Sequence, residues 1–171
     1  MKKLLCLMLA SIMVLASLTA CGKGSAKEPT EGYVTMNGTN VVVGTKFADI
    51  EGKLGEPTQP AQDVIPCDGD ESSKDILHFY EGLCITEHVD GVITALEIGD
   101  YYGDTSKVKA QGKVTIPATT QDVIDALGDP ENEMTEDDFS LVYTYGKTQV
   151  MFFMNPDDRD EIFSLMMMLR E

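Results

Sequence analysis

The residues best suited to acid–base chemistry are His78 and His88. An imidazole serves as general base for a serine or cysteine nucleophile when a carboxylate orients it. A tight turn at Glu81-Gly82 would place Tyr80 opposite Leu83 and Asp75 opposite His88, which makes a His88–Asp75 pair. No Gly-x-Ser-x-Gly elbow accompanies that pair. No catalytic residue is therefore expected, and the chain reads as a non-enzyme. Paired carboxylates of the glycosidase kind carry no information here, because 29 acidic residues make close pairs inevitable. Nucleotide chemistry lacks its Gly-rich strand-to-helix loop.

Cation binding has more material. Asp68, Asp70 and Glu71 cluster in one loop, and Asn155, Asp157, Asp158, Asp160 and Glu161 in another. Calcium takes roughly six to eight oxygens, and neither loop has EF-hand spacing. Arg159 also sits within the second loop. Solvated turn acids are the expected reading, with no metal and no cofactor; a calcium-stabilised structural domain is the alternative. The run Met166-Met167-Met168 offers thioethers to a soft ion such as copper(I). A strand sends neighbouring side chains to opposite faces, so Met167 would share a face with Phe163 and Leu165 and pack in the core. Tyr101-Tyr102-Gly103 is the best local candidate for binding a glycan or peptide through aromatic rings. The alternative is that one Tyr packs at a junction and the other is an ordinary loop residue.

The most specific chemistry lies at the start of the chain. Met1-Lys2-Lys3 is a short basic segment, and a run from Leu4 to Leu18 is apolar apart from small Ser11 and Ser17. A basic start, an apolar centre and small residues before a cut form a secretory signal, residues 1–20. Leu18, Thr19, Ala20 and Cys21 then match, position by position, an aliphatic residue, two small ones and Cys. This resembles the lipobox of bacterial lipoproteins. The resemblance implies diacylglycerol on the Cys21 sulfur, cleavage before Cys21, and residence on the extracytoplasmic face of the cell membrane. Stable anchoring takes about two acyl chains, at roughly 0.8 kcal/mol per buried methylene, and diacylglycerol supplies two. Nothing later in the chain is apolar for long enough to span a bilayer.

Of four cysteines, Cys6 leaves with the signal and Cys21 carries the lipid. Cys67 and Cys84 remain, with 16 residues between them. Outside the cytoplasm disulfides persist, and a bridge closing such a loop stabilises by about 3 kcal/mol in the chain-entropy model. A Cys67–Cys84 disulfide is expected, against two separate thiols with one buried in a strand. Losing Lys2 and Lys3 takes the formal charge from −16 to −18. Such a surface repels nucleic acid and anionic headgroups. The partners expected are the membrane, through the lipid, and a protein or glycan of the envelope.

The elements that position these groups show a repeat. Residues 21–32 have the small, polar, Pro-containing composition of a tether, with a random-coil reach of about 20 Å. Val41 to Pro57 aligns without a gap on Val114 to Pro130, at an offset of 73, with Val41/Val114, Asp49/Asp122, Leu54-Gly55/Leu127-Gly128 and Pro57/Pro130 identical. Each copy reads as a β-branched run, an N-cap oxygen from Thr45 or Thr119, a short amphipathic helix, a Gly C-cap and a stopping Pro. Thr119 and Asp122 have capping-box spacing. Strands are expected over Asp75 to Tyr80, Leu83 to His88 and Val92 to Ile98 in the first copy. The second copy offers Phe139 to Tyr145, Thr148 to Met154 and Glu161 to Leu169. The fold class expected is α+β, a tandem repeat of a short helix followed by an antiparallel β-meander, with units 33–103 and 104–171.

Helices ending in Leu-Gly-x-Pro before antiparallel strands, over Val41 to Leu169, resemble the tandem repeat of the β-lactamase inhibitory protein family. They are similar too to the small outer-membrane assembly lipoproteins of the SmpA type, and to uncharacterised lipoproteins of Gram-positive bacteria. The first two imply binding to other proteins through sheets and loops, and the last implies no activity. The function expected is a non-catalytic binding module displayed at the cell envelope, on a sheet face or edge and the inter-repeat connector. An envelope enzyme or enzyme accessory is the competing class.

Overall fold

The computed structural model describes residues 28–65, 73–132 and 139–170. The leader, Cys21, Cys67 and the loop acids Asp68, Asp70 and Glu71 lie outside the described residues. In chain order the strands are β1 (Tyr33–Met36), β2 (Thr39–Val42), β3 (Gln59–Val64), β4 (Asp75–Tyr80), β5 (Leu83–His88), β6 (Ile93–Gly99), β7 (Val108–Ala110), β8 (Ala118–Thr119), β9 (Ser140–Tyr145), β10 (Thr148–Met154) and β11 (Glu161–Leu169). The α-helices are α1 (Glu51–Leu54) and α2 (Thr120–Leu127).

Two sheets form. Asn37-Gly38, both at positive φ, makes the tight turn that pairs β1 with β2. β7 joins the other side of β1, Val34 opposite Ala110, giving the three-stranded order β2-β1-β7. The second sheet has eight strands in the order β3-β4-β5-β6-β11-β10-β9, with β8 adding to β11. Its middle is the β6–β11 pairing, Ile98 against Leu165 and Leu96 against Met167. One row across its inner face runs Ile85, Leu96, Met167, Val150 and Tyr143. Each is buried, and they share a single core with Val34, Met36, Val41 and Val108 of the smaller sheet and Val123 of α2. Burying each such side chain contributes about 1.5–3 kcal/mol, so this shared core fixes the two sheets together. Among the described residues no helix is long and apolar enough to cross a membrane.

The expected α+β tandem repeat is not what forms. Among the described residues the structure is mostly antiparallel sheet, with 48% strand, 17% helix and one helix of seven residues or more. The reason is local. Thr45 does not cap a helix; its hydroxyl donates to the Val42 carbonyl at 2.7 Å. The segment after it is a 3-10 turn, Phe47–Asp49, followed by the four residues of α1. Gly52 lies inside α1 and weakens it, because glycine loses the most backbone freedom on ordering. α2 does have its capping box, with the Thr119 hydroxyl accepting from the Asp122 amide at 3.0 Å and the Asp122 carboxylate accepting from the Thr119 amide at 3.1 Å. Strands β1, β3 and β7 were not expected, whereas the six meander strands stand within a residue of their expected positions. They join one continuous sheet instead of closing two repeat units. The end of the expected tether also enters the fold: the Glu31 carboxylate accepts from the Lys147 amide at 2.5 Å, and the Gly32 carbonyl accepts from the Val43 amide.

Candidate functional site

Strand alternation gives the large sheet a second face, turned away from the shared core. Across it one row runs Phe79, Cys84, Glu97, Met166, Met151 and Val142. The next row runs Leu77, Thr86, Ala95, Met168, Gln149 and Thr144. Phe79 and Cys84 are buried, whereas Leu77, Val142, Met151, Met166 and Met168 are half-buried. Most apolar side chains of this face thus remain partly in water, whereas most of those of the inner face do not. Its two edges are blunted. β3 carries Pro60 and a register irregularity between Gln59 and Gln62. Along β9 the Asn132 side chain accepts from the Val142 amide at 2.9 Å and donates to the Ser140 carbonyl at 3.0 Å.

Tyr101 and Tyr102 lie over the end of this face near Gly99. The Tyr102 hydroxyl donates to Glu97 Oε2 at 2.8 Å, and its ring stands 6.1 Å from that of Phe79. Burial, and the hydrogen bond to Glu97, raise the Tyr102 pKa. Tyr101 packs on Tyr102 with ring centroids 4.4 Å apart and is 60% exposed. Of the two candidate tyrosines, Tyr101 is the one solvent and ligands can reach, and Tyr102 is a structural strut. Beneath them, burial pushes the Cys84 thiol up to about 11. Among the described residues Cys84 has no disulfide partner and is buried; its expected partner Cys67, and with it the disulfide, lies outside the described residues.

The histidines do not come together. His88 Nδ1 lies 3.1 Å from Asp75 Oδ1, as the hairpin register implies. His78 lies on the opposite, inner face, with Nε2 2.7 Å from Glu87 Oε2 and its ring stacked on Phe47 at 3.8 Å. Two imidazoles on opposite faces of one hairpin cannot act on one substrate. Sequence reasoning missed Glu87 and Phe47 as partners of His78; counting parity along β4 and β5 would have found Glu87. It also missed Met151, whose place opposite Met166 depends on a pairing that parity alone does not reveal.

In the second acidic loop the carboxylates serve the turn. Asn155 donates to Glu161 Oε2 at 2.6 Å, and Asp158 Oδ1 accepts from the Asp160 amide at 3.2 Å. Asp158, Asp160 and Glu161 also line an open notch with Asp122 at the start of α2. Among the described residues no group of three or more His, Cys, Asp and Glu could hold a metal ion.

No family model matches the chain, and no curated protein matches it. The resemblances to lipoproteins and to the β-lactamase inhibitory protein family therefore rest on the residues alone. Among solved structures the chain is similar to the crystal structure of a DUF4309 family protein (YjgB) from Bacillus subtilis subsp. subtilis str. 168. The identity is 17%, 74% of this chain and 79% of that chain are covered, and the TM-score is 0.42.

Proposed function

We propose that the chain is an exported lipoprotein, held at the extracytoplasmic face of the cell membrane by lipid on Cys21, that acts as a non-catalytic binding module of the envelope. The surface it uses is the outer face of the large sheet, and the partner is a protein. One observation carries the choice of surface: Val142, Met151, Met166 and Met168, on the neighbouring strands β9, β10 and β11, form an apolar patch left half in water. Methionine suits such a surface, because its flexible thioether adapts to a partner's contours. The formal charge of −18 after loss of the leader favours a partner with basic groups around an apolar centre and disfavours nucleic acid. Exposed Tyr101 at the end of the same face is where a sugar ring would stack if the partner were a glycan.

The test compares baits. The full chain and two variants, Met151→Asp and Met168→Asp, are used to recover partners from detergent-treated envelopes of the source cells, beside a control variant, Lys53→Ala, on α1. The expected result is a protein held by the wild type and the control and released by both face variants. A partner retained equally by all four would place the site elsewhere. Recovery of glycan that is lost with Tyr101→Ala would replace the protein partner with a sugar.

A further inference from the structure

The three half-buried methionines of the outer face have a geometry that the run Met166-Met167-Met168 does not reveal by itself. Met167 points into the core and is fully buried. Met166 and Met168 point outward from the same strand, two residues apart. Met151 stands directly opposite Met166 on β10. Cross-strand neighbours have Cβ atoms about 4.5–5.5 Å apart, and same-face neighbours along a strand lie about 7 Å apart. Each sulfur is carried on a flexible, unbranched side chain, placed by two rotatable bonds, so three thioethers can converge above one point of the sheet. Glu97 lies opposite Met166 on the other flank, on β6, with one carboxylate oxygen held by Tyr102. The patch is therefore three neutral soft donors beside one fixed negative charge.

We propose that Met151, Met166 and Met168 form a binding site for one soft monovalent cation of the copper(I) class. Thioethers select such ions over zinc, calcium and magnesium, which take nitrogen, thiolate or oxygen ligands. Glu97 offsets the positive charge without coordinating. Cys84, one strand beyond Glu97, stays a buried, protonated thiol outside the ligand set. This inference goes beyond the partner-binding reading and does not depend on it.

Silver(I), a redox-inert ion of the same softness, is the probe. It is titrated into the full chain in detergent, with the reactive thiols first blocked by N-ethylmaleimide and the methionine methyl groups labelled, and each methyl resonance is followed. The expected result is a saturable shift of the Met151, Met166 and Met168 signals at one equivalent, with those of Met36, Met154 and Met167 unmoved. Met166→Leu and Met168→Leu should each weaken binding by about tenfold or more, and Met167→Leu by less than about twofold. With the thiols blocked, silver taken up with no shift of the three outer methyl signals would mean binding elsewhere and would overturn the proposal, as would no uptake. If a Leu variant unfolds, the wild-type methyl shifts still decide. Leucine keeps the apolar area of the face, so partner recovery by the Leu variants reports on the docking reading separately.

Discussion

Gly55 and Gly128 follow α1 and α2 at φ 94°, ψ −167° and φ 90°, ψ −174°. That corner of backbone space is open almost only to glycine, and side chains forced into it cost about 1–3 kcal/mol. Space is not the obstacle, since a Cβ at Gly128 would meet nothing within 4 Å and one at Gly55 only the Asn37 side chain at 3.7 Å. Gly55→Val and Gly128→Val should each lower the melting temperature through backbone strain alone; unchanged melting in both would contradict these helix ends. Cys84 makes a prediction about pH. Burial raises its thiol from 9.0 to about 11, so the folded chain holds that proton more tightly than the unfolded one. Its contribution is intact below the unfolded value and is lost as pH rises through the folded one. Tyr143, pushed up to about 12 by burial, acts in the same direction. Urea midpoints should therefore fall as pH rises from about 8 to about 11, and Cys84→Ala should flatten part of that slope. A midpoint that rises across this range would refute the burial argument.

Among the elements, the six meander strands were readable; β1, β3 and β7, and the arrangement of the whole, were not. Glu81-Gly82 and Gly146-Lys147 mark their hairpins unmistakably, and alternation assigns faces within each, as the Asp75–His88 and Tyr80–Leu83 pairings show. Which strands meet across the chain is a different matter. β1 finds β7, and β6 finds β11, at separations of about seventy residues, through hydrophobic complementarity that no local signal encodes. The aligned copies concealed a real difference: Gly52 occupies in α1 the place that Asp125 occupies in α2. Copy two has the capping box and a full helix, whereas copy one has a 3-10 turn and a remnant. Gly52 is exposed, and a Cβ added there would meet nothing within 4 Å, so Gly52→Ala should stabilise by about 0.5–1 kcal/mol. A lowered urea midpoint for that variant would mean the α1 backbone is not helical. The candidate site was legible only in part. Tyr101 and Tyr102 were visible as aromatics, but the position of Tyr102 against Glu97 and Phe79 required the sheet.

At the scale of the molecule, two sheets bury one core between them and leave the far side of the larger sheet half in water. The chain enters this fold at Glu31, beside the Gly146-Lys147 turn, so a lipid on Cys21 would tether the domain from the end where β9 meets β10. If the lipid proposed on Cys21 is the anchor, replacing Cys21 with Ser should move the protein from the membrane fraction to the soluble extracytoplasmic fraction. Persistence in the membrane would shift the anchor to the uncleaved leader. The partner-binding and soft-cation readings both require that the outer face be open. Brief exposure of the native full chain to peroxide, with fragmentation mass spectrometry to place each added oxygen, measures this residue by residue. Met151, Met166 and Met168 should oxidise well before Met154 and Met167, which are 1% and 0% exposed. Equal protection of Met166, Met167 and Met168 would mean the face is covered, and equal oxidation would mean that β11 does not pack as an alternating strand.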